Sequence, residues 1–114
     1  MKPKTFNMVG ADGKATRRDV EYTPFFINVN GKRLELALHH WIASWQVSDP
    51  VSGAKVCTLY GFYRGIQTGS GSLTVAQAKR EARRQVEELI QRVGIDKFTA
   101  AFAKARALVQ EAQA

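Results

Sequence analysis

The chain has 114 residues, 45% of them hydrophobic and 10% aromatic, enough for one self-supporting core and too few for two. Its 24% of charged residues is ordinary for a globular protein and excludes global disorder, but 17 Lys and Arg stand against 10 Asp and Glu, a formal charge of +7. One cysteine excludes an internal disulfide and a cysteine-rich zinc site, and no apolar run reaches the ~18 residues that a membrane span needs.

Residues 1–23 are the least patterned and read as a poorly defined arm or an edge strand. Met1–Asn7 starts positive but has no apolar stretch behind it, so it is not a secretory signal, and the expected compartment is a reducing cytoplasm. Thr5–Val9 suits a short strand, Ala11-Asp12-Gly13-Lys14 a turn, and Arg17, Arg18, Asp19 and Glu21 an exposed connection or an edge strand.

The clearest element is a hairpin. Phe25–Val29 and Lys32–Leu38 flank Asn30-Gly31, a pair that tolerates the positive φ angles of a type I′ turn. The spacing sets Val29 against Lys32, Ile27 against Leu34 and Phe25 against Leu36, which gathers the apolar residues on one face. Trp41–Val47 alternates and predicts a further strand, with Asp49–Gly53 as the turn after it. Lys55–Tyr63 is β-branched and aromatic, and reads as an interior strand. Gly65–Ser72 reads as a flexible loop by composition.

The periodicity then changes from about 2 to 3.6. Thr74 and Gln77 form a capping box for a helix from Val75 to about Val93, with Val75, Ala78, Ala82, Val86, Leu89, Ile90 and Val93 as its apolar stripe. Gly94 ends that helix. Asp96 is expected to cap a second, whose stripe is Phe98, Ala101, Phe102, Ala105, Leu108, Val109 and Ala112. The expected architecture is a single α+β domain of two layers. An antiparallel sheet over residues 24–64 has four strands, or five if the arm pairs, and the helical hairpin over 74–112 covers one face.

No catalytic constellation emerges. There is no His-Glu-x-x-His and no Gly-x-Ser-x-Gly. His39 and His40 are adjacent on a strand, so their rings point to opposite faces and cannot share a metal. Cys57 lies in an apolar strand, where a thiol packs rather than reacts. The glycine-rich loop lacks the Gly-Lys-Ser/Thr ending of a nucleotide-triphosphate loop. The reading is therefore a non-enzyme without cofactor or metal.

The most informative segment is Lys79-Arg80-Glu81-Ala82-Arg83-Arg84. At 100° per residue, Lys79, Arg83, Arg80 and Arg84 cover about 140° of helix surface beside the apolar stripe. These bases precede Glu87 and Glu88, an order opposed to the helix dipole, so local stability does not explain it. Pairing of Arg83 with Glu87 and of Arg84 with Glu88 would be in the weaker orientation. A solubilising helix face is the plain alternative. Arg64, Lys55, Lys32 and Arg33 would extend a track for phosphates, and Phe26, Asn28, Ser44 and Gln46 would lie on an exposed sheet face able to read bases. Trp41, Trp45, Tyr60 and Tyr63 offer stacking surfaces for single strands, although the two tryptophans fall on one strand face and read more simply as core.

Trp45-x-Val47-x-Asp49-Pro50, Gly53-x-Lys55-Val56-x-x-Leu59 and Thr74-x-x-x-Ala78 together resemble the three-stranded-sheet-plus-helix DNA-binding domains of the integrase-arm and plant ethylene-response type. The resemblance covers about residues 41–90. It implies a sheet that enters the major groove. The family's strand arginines and tryptophans are mostly replaced here, by Ser44, Gln46 and Lys55.

The expected function is that of a small basic protein that binds nucleic acid, DNA first, through the phosphate backbone. The alternative is a protein-binding inhibitor or adaptor from a phage or mobile element, which blocks a host defence complex through an acidic protein surface. No membrane partner is expected, and a free first or last strand would permit a homodimer.

Overall fold

Asn30 and Gly31 take φ angles of 52° and 76°, the pair of positive values that a tight hairpin turn demands. Around them β2 (Arg18–Val29) and β3 (Lys32–Trp41) pair antiparallel, with Val29 opposite Lys32, Ile27 opposite Leu34 and Phe25 opposite Leu36, as the Asn-Gly spacing requires. The computed structural model describes residues 4–8 and 18–113. The expected turn at 11–14 and Arg17 lie outside the described residues, as do the side chains of Val109 and Ala112.

The sheet has five antiparallel strands in the order β1-β2-β3-β4-β5, with β1 at Lys4–Met8, β4 at Ser44–Ser48 and β5 at Lys55–Thr58. The fifth strand is the N-terminal arm: β1 pairs with the first half of β2, Lys4 opposite Tyr22 and Met8 opposite Arg18. The second half of β2 pairs with β3.

Three strand boundaries differ from the sequence expectation. Trp41 is the last residue of β3 rather than the first of the next strand, and the chain turns at Ile42-Ala43 before β4. Ile42 holds φ 56°, a conformation that normally selects glycine, so no turn residue announces the break. Lys55–Tyr63 is not one interior strand. It divides at Leu59 into β5, at the sheet edge, and β6 (Tyr60–Tyr63). The division follows from Leu59 turning inward, where its side chain is buried and its amide donates to the Trp45 carbonyl at 2.9 Å. Gly65–Ser72 is not a plain loop either. Ile66–Gly69 forms β7, paired with β6 across Arg64-Gly65, whose φ angles of 51° and 78° repeat the Asn30-Gly31 pattern.

Two helices complete the fold: α1 (Val75–Val93) and α2 (Ile95–Gln113). The capping box forms as the sequence predicts, with the Gln77 amide donating to Thr74 Oγ1 and the Thr74 amide to Gln77 Oε1. Asp96 falls in the first turn of α2 rather than at its cap. The Phe98 amide donates to the Gly94 carbonyl at 3.1 Å, so a single residue both ends α1 and begins α2. The core lies between helices and sheet and includes Phe25, Leu36, Leu38, Trp45, Val47 and Leu59, with Ala78, Ala82, Val86 and Phe98 from the helices. The alanines of α1 let the helix approach the sheet closely, while Val75 and Val93 at the two ends of its stripe are exposed.

The other face of the sheet is closed at its centre. Ala37, His39, Gln46 and Ser48 are buried there. His39 Nε2 lies 2.8 Å from Ser48 Oγ, and Nδ1 lies 3.2 Å from the His40 carbonyl. The loop after β4 is tied to α2 by Arg106, which grips both oxygens of the Asp49 carboxylate.

Candidate nucleic-acid interface

Helix α1 buries Ala78, Ala82, Gln85 and Val86, and that face fixes where its charges point. Lys79, Arg80, Arg83 and Arg84 all project to solvent, walling a shallow depression above Ala76 with Glu87 at one side. Their electrostatic states differ. Arg84 donates to Glu81 Oε2 at 2.7 Å and to Glu88 Oε2 at 3.2 Å, so it is neutralised within the chain. The hydrogen bond from Arg84, joined by one from Gln85, holds the Glu81 carboxyl below its ordinary range. Of the two pairings that the spacing allows, Arg84 with Glu88 forms. Among the described residues Lys79, Arg80 and Arg83 make no salt bridge, although the Arg80 charge also helps to hold the Glu81 carboxyl down, and the three side chains face outward along one side of the helix.

At the Arg84 edge of this helix face stands the β6–β7 hairpin. Gln85 holds it: the side-chain amide donates to the Tyr60 carbonyl at 2.9 Å, and its oxygen accepts from the Tyr60 amide at 3.2 Å. The same Gln85 Nε2 reaches Glu81 at 3.0 Å, which couples the hairpin base to the charged face. The Tyr60 hydroxyl donates to Glu88, and the Arg84 guanidinium lies 5.9 Å from the Tyr60 ring. Phe62 meets Tyr60 edge-on at 5.4 Å between ring centres. A run of side chains therefore leads from the helix band through Arg84 and Tyr60 to Phe62. At the tip Arg64 lies 5.4 Å over the Tyr63 ring. Phe62 and Tyr63 are 62% and 64% exposed, and Ile66 is exposed beside them.

The remaining sequence candidates lie elsewhere. Lys32 is exposed at the β2–β3 turn. Arg33 shares a sheet face with Asn28 and stacks at 3.8 Å on Phe26, on the side away from the helices. Lys55 opens β5 and borders an apolar recess against α2 together with Lys97. The structure thus brings Arg64 onto a hairpin rooted at the α1 band and leaves Lys32 and Arg33 on a separate part of the surface. Gln46, expected on an open sheet face, is only 5% exposed. Trp45 is core, its indole donating to the Leu73 carbonyl at 3.0 Å, whereas Trp41 stays partly open at the end of β3.

Sequence reasoning missed Gln85 and Phe62. Gln85 sits within the stripe Ala78, Ala82, Val86, and a polar residue on a buried face signals a hydrogen-bonding duty. Phe62 falls in a segment whose composition reads as interior strand, which hides its exposure.

Among the described residues no cluster of His, Cys, Asp and Glu could hold a metal ion, and no helix is long and apolar enough to cross a membrane. Comparison of the chain with protein-family models, curated proteins and solved structures returns no match.

Proposed function

We propose that this is a non-enzymatic nucleic-acid-binding protein whose α1 band, Lys79, Arg80 and Arg83, holds the phosphate backbone, with Arg64 on the adjoining hairpin as a further contact. The observation that carries the reading is that these three exposed helix cations form no salt bridge among the described residues, while Arg84 beside them is held by two carboxylates. Long cationic side chains at helical spacing release counterions when they meet phosphate, which makes affinity steeply salt-dependent.

The test is a polarisation titration against labelled DNA and RNA over a salt series, comparing the parent with Lys79→Gln, Arg80→Gln and Arg83→Gln combined. The triple variant should bind more weakly to every sequence, and its log–log salt slope should fall by about 0.7–0.9 for each phosphate it no longer neutralises. Parent-like binding and slope would refute the assignment.

A protein partner is the second reading, and Ile42 favours it. This residue is 89% exposed and carries its branched side chain at φ 56°, strained and apolar at a turn tip. A complex that forms after nuclease treatment and without nucleic acid would support that reading over the first.

A further inference from the structure

The β6–β7 hairpin is built unlike the rest of the sheet. Its outward positions carry Phe62, Tyr63 and Ile66, three large apolar side chains left in water on a two-stranded ribbon. A ribbon of two short strands gains little stability alone and depends on what it is fixed to. Here it is fixed by the Gln85 clamp to the flank of α1 that carries Glu81, Arg84 and Glu88, and Arg84 is the edge at which that flank meets the face bearing Lys79, Arg80 and Arg83. Core packing does not account for the rings, because neither is buried.

We propose that the polyanion held at this surface is a single strand, with its phosphates along Lys79, Arg80 and Arg83 and an unpaired base stacked on Phe62, a second on Tyr63. The inference rests on the reading that the α1 band meets phosphate, and it names the class of nucleic acid. In a duplex the base faces are already stacked on each other, and a protein reads base edges with hydrogen-bonding side chains. An exposed phenyl ring offers no such contact. In a single strand the faces are free, and a ring near a cationic track binds any base. Phe62 continues the face that Tyr60 and Arg84 begin, so a strand that crosses the Arg84 edge of α1 reaches it past Tyr60. Tyr63 lies on the opposite face of the ribbon with Arg64 laid over its ring, and the guanidinium supplies a cation for the phosphate of a base stacked there.

The probes are a fluorescein-labelled mixed-sequence DNA strand and the blunt duplex of the same sequence, titrated by polarisation at two salt concentrations. The parent should prefer the single strand. Phe62→Ala and Tyr63→Ala should each weaken single-strand binding by about 5- to 100-fold, leave duplex binding within about twofold, and leave the salt slope unchanged. Phe62→Tyr keeps a ring and should bind as the parent does. Circular dichroism of each variant, expected to match the parent because both rings are exposed, separates a failure of stacking from a failure of folding.

If the ring variants bind the single strand as tightly as the parent while the triple glutamine variant of the α1 band binds both probes weakly, the stacking proposal fails and the phosphate reading stands. If the triple variant binds both probes as the parent does, or if the parent binds neither, the phosphate reading fails and the single-strand proposal falls with it.

Discussion

Arg106 and Asp49, separated by 57 positions in the chain, form a two-pronged ion pair: Nε lies 3.0 Å from Oδ2 and Nη2 3.0 Å from Oδ1. Asp49 is 1% exposed and also accepts from the Ser52 hydroxyl at 2.8 Å and the Val51 amide at 3.2 Å. The pair is a polar tie between α2 and the loop after β4, and with the packing of Phe98 it helps fix where the second helix lies. Asp49→Asn should lower stability by about 1–3 kcal/mol, because it leaves a partly buried guanidinium without its counter-charge. Chemical denaturation would measure the loss. Arg106→Lys, which leaves Asp49 intact, should keep only part of the pair's stabilisation, since an ammonium cannot reproduce the fork.

Acid sensitivity should come from two groups. Burial alone would raise the Asp49 pKa, but the hydrogen bonds from Arg106, Ser52 and Val51 outweigh it and hold the carboxyl below its ordinary value. Its stabilisation is present above the unfolded value and is lost as pH falls through the folded one. His39 is also depressed, chiefly by burial, so its neutral ring favours the fold above the unfolded value of 6.5. As pH drops below about 6.5 the unfolded chain takes up a proton that the folded chain refuses, and stability declines. Denaturation midpoints measured from pH 8 to pH 5 should therefore fall in the parent and fall less in His39→Gln.

Gln85→Ala removes the clamp on Tyr60 without touching the cations of α1. The expected cost is about 1–2 kcal/mol for two backbone groups left without partners. Hydrogen exchange should speed up in β6 and β7 while the amides of β2 and β3 stay protected. Equal acceleration throughout the sheet would contradict a tie confined to the hairpin base.

A Cβ at Gly71 would overlap the carbonyl oxygen of Ala43. Backbone is the obstacle, so rotamer adjustment cannot relieve it. Gly71→Ala should cost about 1–3 kcal/mol and displace the segment that leads into α1. A thermal midpoint unchanged from the parent would show that the close approach is dispensable.

Ile42 gives the opposite expectation. Its φ of 56° places a branched side chain where glycine fits, and the side chain makes almost no compensating burial. Ile42→Gly should stabilise the protein by about 1 kcal/mol, read by thermal unfolding. A loss of stability would indicate that the isoleucine packs more than its exposure suggests.

The first helix and the central hairpin are legible in the sequence because each carries redundant signals. Thr74 and Gln77 announce the start of α1, Gly94 its end, and Asn30-Gly31 fixes the register of β2 on β3. The break at Leu59 is not legible, because Lys55–Tyr63 keeps strand-forming residues throughout and only the inward turn of one leucine divides it. Nor is β7, since Gly65, Gly69 and Gly71 resemble a linker by composition while Arg64-Gly65 makes a true hairpin turn. The α1 band is legible from helical spacing. Its neighbour is not, because the approach of Tyr60 to Gln85 spans 25 positions and has no local signature.

Because the chain turns off at Leu59, the outer rim of the five-stranded sheet on that side is only four residues long and opens on a lysine. A second molecule trying to extend the ladder would find too few peptide groups to repay its own ordering, and would meet an ammonium at the first rung. The same diversion that delivers two exposed aromatic rings to the hairpin thus also blunts the place where sheets fuse into aggregates.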